Sequence, residues 1–228
     1  MATITENTLT MTEGSDVYTM RPMLLSDKTF FTETMADFPY EASGVDTSRS
    51  FDKYMIMWVS CFQDSDYPIQ KGTEKVSTSI ILKNNVPFCM TKHTYDYNCH
   101  EGNTVLFERD PVVAFHPSQR GKGLYRKYLD ITHYWIYIFV GVEYSTYETY
   151  DKVVQIKKIQ KEKNWQYLNT KSAGLQGTKH VFKNTKDQYS QPSGYTFKVT
   201  KATYDLTNER YAPPAVQATY LSWDSGLS

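Results

Sequence analysis

The stretch with the most chemical content is Val112–Tyr128, which reads VVAFHPSQRGKGLYRKY. An apolar run closes at His116-Pro117, and Gly121 and Gly123 then fall among Arg120, Lys122, Arg126 and Lys127. An amphipathic segment starts at once. A strand, a tight turn and a helix start would bring free backbone N–H groups and positive charge to one point. Such a corner suits an anionic ligand, above all a pyrophosphate. A solvated basic turn carries the same residues, and the glycines alone do not choose between the two. Lys122 and Arg126 are placed either to add charge to an anion or to face solvent.

Titratable residues gather just upstream. Glu108 and Asp110 are two apart in the β-rich run Thr104–Phe115, which puts both carboxylates on one face unless a bulge intervenes. Pro111 interrupts that run, and a residue without an N–H predicts a bulge or an opening there. Glu108 beside Arg109 also reads as a surface charge, and His116 as an outward-facing or packed side chain. On the preceding run, Cys89, Thr91, His93 and Tyr95 share a face. Cys89 and His93 would stand roughly 13 Å apart along a strand, which makes them poor co-ligands. The Cys99-His100 pair is the remaining route to a zinc site, and no metal is expected.

The elements that position these groups follow from periodicity. Residues 1–16 are polar and read as a flexible N-terminal segment. Val17–Arg21 predicts a strand, and Lys28 to Asp37 a helix stopped by Pro39. Phe51, Tyr54, Met55, Trp58, Val59 and Phe62 recur near a 3.6-residue period and predict a second helix. Lys75–Lys83 and Val86–Tyr97 read as two strands joined by Asn84-Asn85, a pair that tolerates a hairpin turn. After the glycine turn, Leu124, Tyr128, Ile131, Trp135 and Phe139 line one face of a helix that Gly141 ends. Val142–Tyr147 predicts a strand and Lys152–Lys163 a helix. Trp165–Leu168 and Phe197–Tyr204 complete the strands, separated by a polar region with a fragment at His180–Phe182.

Composition sets limits. At 228 residues the chain can bury roughly 70% or more of its unfolded surface in one domain. Basic and acidic residues balance at 25 each, so bulk electrostatics give no case for a nucleic-acid partner. The 19 tyrosines suit either a wet aromatic groove or a strand-rich fold. Three cysteines without CxxC spacing predict no disulfide framework. With no secretory signal read at the start, and no apolar run long enough for a bilayer, a cytoplasmic protein off the membrane is expected.

The order of motif and elements resembles the GNAT superfamily of N-acetyltransferases, in which a strand ending in hydrophobic-x-Pro leads into [Gln/Arg]-x-x-Gly-x-[Gly/Ala]. The resemblance spans roughly Val17–Tyr204. It implies an α/β (α+β) fold, the GNAT-like acyl-CoA N-acyltransferase fold: a central mixed, mostly antiparallel sheet flanked by helices. It also divides the chain into the segment 1–16, one such domain over 17–207 and an irregular tail over 208–228. That tail is free to pack on the domain or between two copies, so a homodimer stays open.

Carried over residue by residue, Arg120 takes the leading Gln/Arg position, Gly121 and Lys122 the free positions, and Gly123 the required glycine. The amides from Gly121 through Leu124 and Tyr125 to Arg126 would cradle the pyrophosphate of acetyl-CoA. The exposed backbone of the preceding strand, at Val113 and Phe115, would bond its pantetheine arm. Tyr125 departs from the family's Gly/Ala and either blocks the cradle or turns aside. Glu108 takes the position of a general base, with Asp110 behind it. The family's usual acid, a tyrosine in Tyr-x-x-x-Gly-Phe, falls on Gln160 when Asn164 and Trp165 are aligned. Tyr147 or Tyr150 would substitute for it. The implied function is acetyl-CoA-dependent N-acetylation of an amine, a small molecule in preference to a polybasic protein, by direct attack in a ternary complex. The alternative is a non-catalytic binding or assembly module of the same fold.

Overall fold

The β-rich runs pair into a nine-stranded sheet in the computed structural model, which describes residues 3–36, 75–100, 103–150, 153–172, 178–205 and 209. The strands are β1 (Thr3–Glu13), β2 (Asp16–Pro22), β3 (Lys75–Lys83), β4 (Val86–His100), β5 (Asn103–Phe115), β6 (Tyr144–Tyr150), β7 (Gln166–Ser172), β8 (Thr178–Thr185) and β9 (Tyr195–Asp205). Their order across the sheet is β7-β8-β6-β5-β4-β3-β2-β1-β9. The β5–β6 pair is parallel and the other described pairs are antiparallel. Three helices accompany it: α1 (Lys28–Ala36), α2 (Leu124–His133) and α3 (Val154–Glu162). This is the mixed, mostly antiparallel sheet flanked by helices that the element order implied.

Local signals account for the turns. Asn84 and Asn85 both have positive φ, 49° and 65°, the backbone a two-residue hairpin with right-handed strand twist requires. Helix α2 runs on into a wider π turn over Tyr134–Val140 and stops at Gly141, whose φ of 84° a side chain would resist.

Two segments differ from the sequence reading. Residues 3–13, read as flexible, form β1, which pairs with β9 from Thr3↔Asp205 to Glu13↔Tyr195. Leu9 and Met11 of this strand are fully buried, and their burial against α2 holds a segment that is otherwise polar. The polar region around His180–Phe182 forms a full strand, β8, inserted between β6 and β7. The predicted helix over Phe51–Phe62 lies outside the described residues, as does the tail apart from Glu209.

The sheet has two apolar faces. One packs on α2 and includes Leu9, Met11, Phe88, Tyr95, Tyr128 and Trp135. The other packs on α1 through Met23, Phe31, Ile80, Met90 and Ala114. Tyr18, Tyr95, Tyr128 and Tyr137 are among the largest fully buried side chains, so part of the tyrosine enrichment serves the core. The handles are used as well: Trp135 Nε1 donates to the Tyr95 hydroxyl at 3.1 Å.

Candidate active site

The site begins where two parallel strands part. The β5–β6 ladder covers Phe107↔Tyr144, Glu108↔Ser145 and Arg109↔Thr146, after which β5 runs on to Phe115 and β6 to Tyr150 without further described pairing. The cause lies on the other side of β5. Thr94 pairs with Arg109 and Lys92 with Val112, so two steps on β4 oppose three on β5. The extra residue falls at Asp110-Pro111, where proline has no N–H to give the ladder. The bulge expected at Pro111 is therefore present. It also inverts the alternation. Glu108 shares the α2 face with Val113 and Phe115, whereas Val112 and Ala114 pack on the α1 side. The condition that would have put Glu108 and Asp110 on one face is not met.

The glycine turn follows directly. His116 caps a short 3-10 turn, Pro117–Gln119: the Ser118 N–H donates to its Nδ1 at 3.3 Å. Its Nε2 lies 3.1 Å from Glu33 of α1, and its ring stacks on Phe30 at 5.3 Å. Gly121 and Gly123 adopt φ of 75° and 72°, and a Cβ built on either would meet nothing within 4 Å. Gly123 is the N-cap of α2, and the N–H groups of the first helical turn lack intrahelical partners by construction. Open space before two left-handed glycines and a helix N-terminus fits a pyrophosphate. The turn is braced by its own cations: Arg120 Nε donates to the Phe115 carbonyl at 3.1 Å, and Lys122 Nζ to Gln119 at 3.2 Å. Arg126 donates to Glu162 of α3 at 2.7 Å.

Leu124 is buried and anchors the first turn of α2. Tyr125 is turned onto the sheet. Its ring lies 6.1 Å from Phe115 and 5.5 Å from Tyr128, and burial pushes its phenol well above the usual range. Val113 and Phe115 pack against the same cluster.

Glu108 is 0% exposed, which removes the surface-charge reading. Ser145 Oγ donates to its Oε2 at 2.5 Å, and its Oε1 is hydrogen-bonded to His93 Nδ1. His93 Nε2 lies 3.1 Å from the Thr91 hydroxyl, which donates to the Val112 carbonyl at 3.0 Å. A buried polar chain thus runs from β6 through β5 and β4 to the strand beside the parting. Tyr147 is buried on the same face. Its hydroxyl bonds His133 Nε2 at 3.1 Å, its ring stacks on Trp165 at 4.6 Å, and burial raises its phenol well above the ordinary value. The Gln160 side chain is buried, and its Oε1 has no hydrogen-bond partner among the described residues. Asn164 adopts φ of 56°, a left-handed backbone that asparagine tolerates in place of glycine. Sequence reasoning assigned no role to His93 or Ser145. The signal for His93 was the Thr91-His93-Tyr95 face lying opposite a proline-broken strand.

No protein-family model and no curated protein matches the chain. Solved structures do match in fold. RimJ of Mycobacterium smegmatis, in complex with CoA-disulfide, superposes with a TM-score of 0.60 at 8% identity, covering 83% of this chain and 91% of that one. The spermidine N-acetyltransferase of Vibrio cholerae, in complex with CoA and spermine, gives 0.58 at 9% identity over 75% and 96%. An uncharacterized protein of Bacillus halodurans gives 0.53 at 10% identity over 75% and 86%. The chain has the GNAT-like acyl-CoA N-acyltransferase fold.

Proposed function

We propose that the protein is an acetyl-CoA-dependent N-acetyltransferase of a small amine, working by direct attack in a ternary complex. The observation that carries this reading is the parting of β5 from β6 beside the left-handed Gly121–Gly123 turn and the start of α2. The amides from Gly121 to Arg126 would hold the pyrophosphate, and the free edge of β5 at Val113 and Phe115 the pantetheine arm. Bound acetyl-CoA supplies an activated acyl group and a thiolate leaving group. The chain's own contribution is a base for the acceptor amine, assigned to Glu108, and a proton donor, assigned to Tyr147. Titration calorimetry with acetyl-CoA tests the reading, and no heat or competition at millimolar ligand would sink it.

The small-amine assignment rests on the balance of charge, which offers no attraction to a polybasic tail or to nucleic acid. The cytoplasmic assignment rests on the sequence reading; among the described residues no helix is long and apolar enough to cross a membrane. A second reading, a non-catalytic module of the same fold, is favoured by the closed environment of Glu108 and by Gln160 at the family's acid position. A saturable CoA site with no turnover across a panel of amines would support it.

A further inference from the structure

We propose that His93 and Glu108 form one unit sharing a single proton, with His93 the positioning residue that makes Glu108 a base. The assignment follows from counting hydrogens along the buried chain. A threonine hydroxyl has one proton, and Thr91 gives it to the Val112 carbonyl, which can only accept. The contact between Thr91 and His93 must then use a proton on His93 Nε2. Ser145 gives its proton to Glu108 Oε2, which leaves that oxygen bare. Two lone pairs facing each other between Oε1 and Nδ1 would repel, so that line holds one proton. Either Glu108 is a carboxylate on an imidazolium, or the proton has moved across and both are neutral. The pair carries no net charge in either form.

The surroundings fit this count. Glu108 is 0% and His93 1% exposed, so an unpaired carboxylate there would lose its hydration without compensation. The titratable groups facing the pair are Tyr95 on β4, Tyr128 on α2, Tyr137 on the π turn, Tyr147 on β6 and His133 on α2. Burial raises all four phenols and lowers His133 to about 3, which leaves each of them neutral. His93 is thus the only cation among the groups facing Glu108. It orients Glu108 as a third group orients the base of an activated nucleophile.

The kinetic role rests on the acyl-transfer reading above. Rotation of the Ser145 hydroxyl frees Glu108 Oε2 toward the parting of β5 and β6. The acceptor's N–H bond breaks, its electron pair stays on nitrogen, and the proton bonds Oε2. The shared proton settles on His93 Nδ1 and leaves a carboxylic acid beside an imidazolium. The added proton then passes to the departing thiolate, and the unit ends as it began.

Proton NMR of the full chain reads the sharing without any substrate. The wild type should show one far-downfield, exchange-protected resonance that both His93→Gln and Glu108→Gln abolish. In turnover, His93→Gln should lower kcat about 10²-fold or more and displace the acid limb of the pH–rate profile, with acetyl-CoA Kd changed only a few-fold. Should that variant fail to fold, Thr91→Val removes only the Nε2 partner and should displace the resonance while lowering kcat about tenfold. A wild type that binds no acetyl-CoA defeats the acyl-transfer reading, and the resonance alone then decides the proton sharing. A missing wild-type resonance, or a folded His93→Gln or Thr91→Val with unchanged kcat and unchanged spectrum, overturns the unit.

Discussion

Tyr125 leans on Phe115, ring centroids 6.1 Å apart and planes at 51°, so the phenol at the start of α2 is carried by the strand that precedes the glycine turn. The position that the family fills with glycine or alanine is thus held by packing. Replacing Tyr125 by glycine should leave CoA affinity within a few-fold and lower stability by ~1–3 kcal/mol, through lost apolar contact and added backbone entropy. Calorimetry and thermal unfolding of the two proteins check this. A large gain of CoA binding in the glycine variant would show instead that the phenol obstructs the cradle.

Gly123 should be less forgiving. Its φ of 72° disfavours a Cβ by roughly 1–2 kcal/mol even though the space in front of it is open. Gly123→Ala is expected to lose about that much stability and to weaken CoA. Gly123→Asn should recover most of the stability, since asparagine visits this conformation routinely. Equal melting temperatures for glycine and alanine would contradict the assigned backbone.

Glu108→Gln addresses the base directly. The amide keeps the shape but takes no proton, so kcat should drop roughly 10²–10⁴-fold while acetyl-CoA affinity changes little. Wild-type turnover with an unaltered pH profile would remove Glu108 from the chemistry.

His133 makes the protein sensitive to acid. Burial, then the nearby Lys163 and His93, pushes its imidazole from the ordinary 6.5 to about 3. The unfolded chain therefore binds a proton here before the folded one does. The neutral-His133 contribution is fully present above about 6.5 and is lost as pH falls toward 3, at about 1.4 kcal/mol per pH unit. Denaturant unfolding between pH 6 and pH 4, on the wild type and His133→Gln, should show this share of the slope vanish in the variant. Parallel slopes would mean that His133 does not titrate as its burial implies.

Much of the scaffold was legible because its determinants are local. Asn84-Asn85 turns a hairpin, Leu124 to Phe139 repeat at helical spacing up to Gly141, and Pro111 cannot complete a ladder. The glycine turn was equally plain, since positive φ at Gly121 and Gly123 is a property of those residues themselves. Its function as a phosphate cradle was suggested by residue types and remains a proposal.

What escaped the sequence depends on partners far away along the chain. Residues 3–13 look polar and loose, and only pairing with β9, nearly the whole chain away, makes them a strand. The same holds for β8, whose place between β6 and β7 is decided by sheet order. The Glu108–His93 contact is the finest case. The sequence put His93 on a face with Thr91 and Tyr95, and Glu108 on the next strand beside a proline. Whether Glu108 meets solvent or that face turns on one inserted residue, because side chains alternate with a period of two. The proline made a bulge certain; its register against Lys92 and Thr94, set by packing under α2, chose the partner.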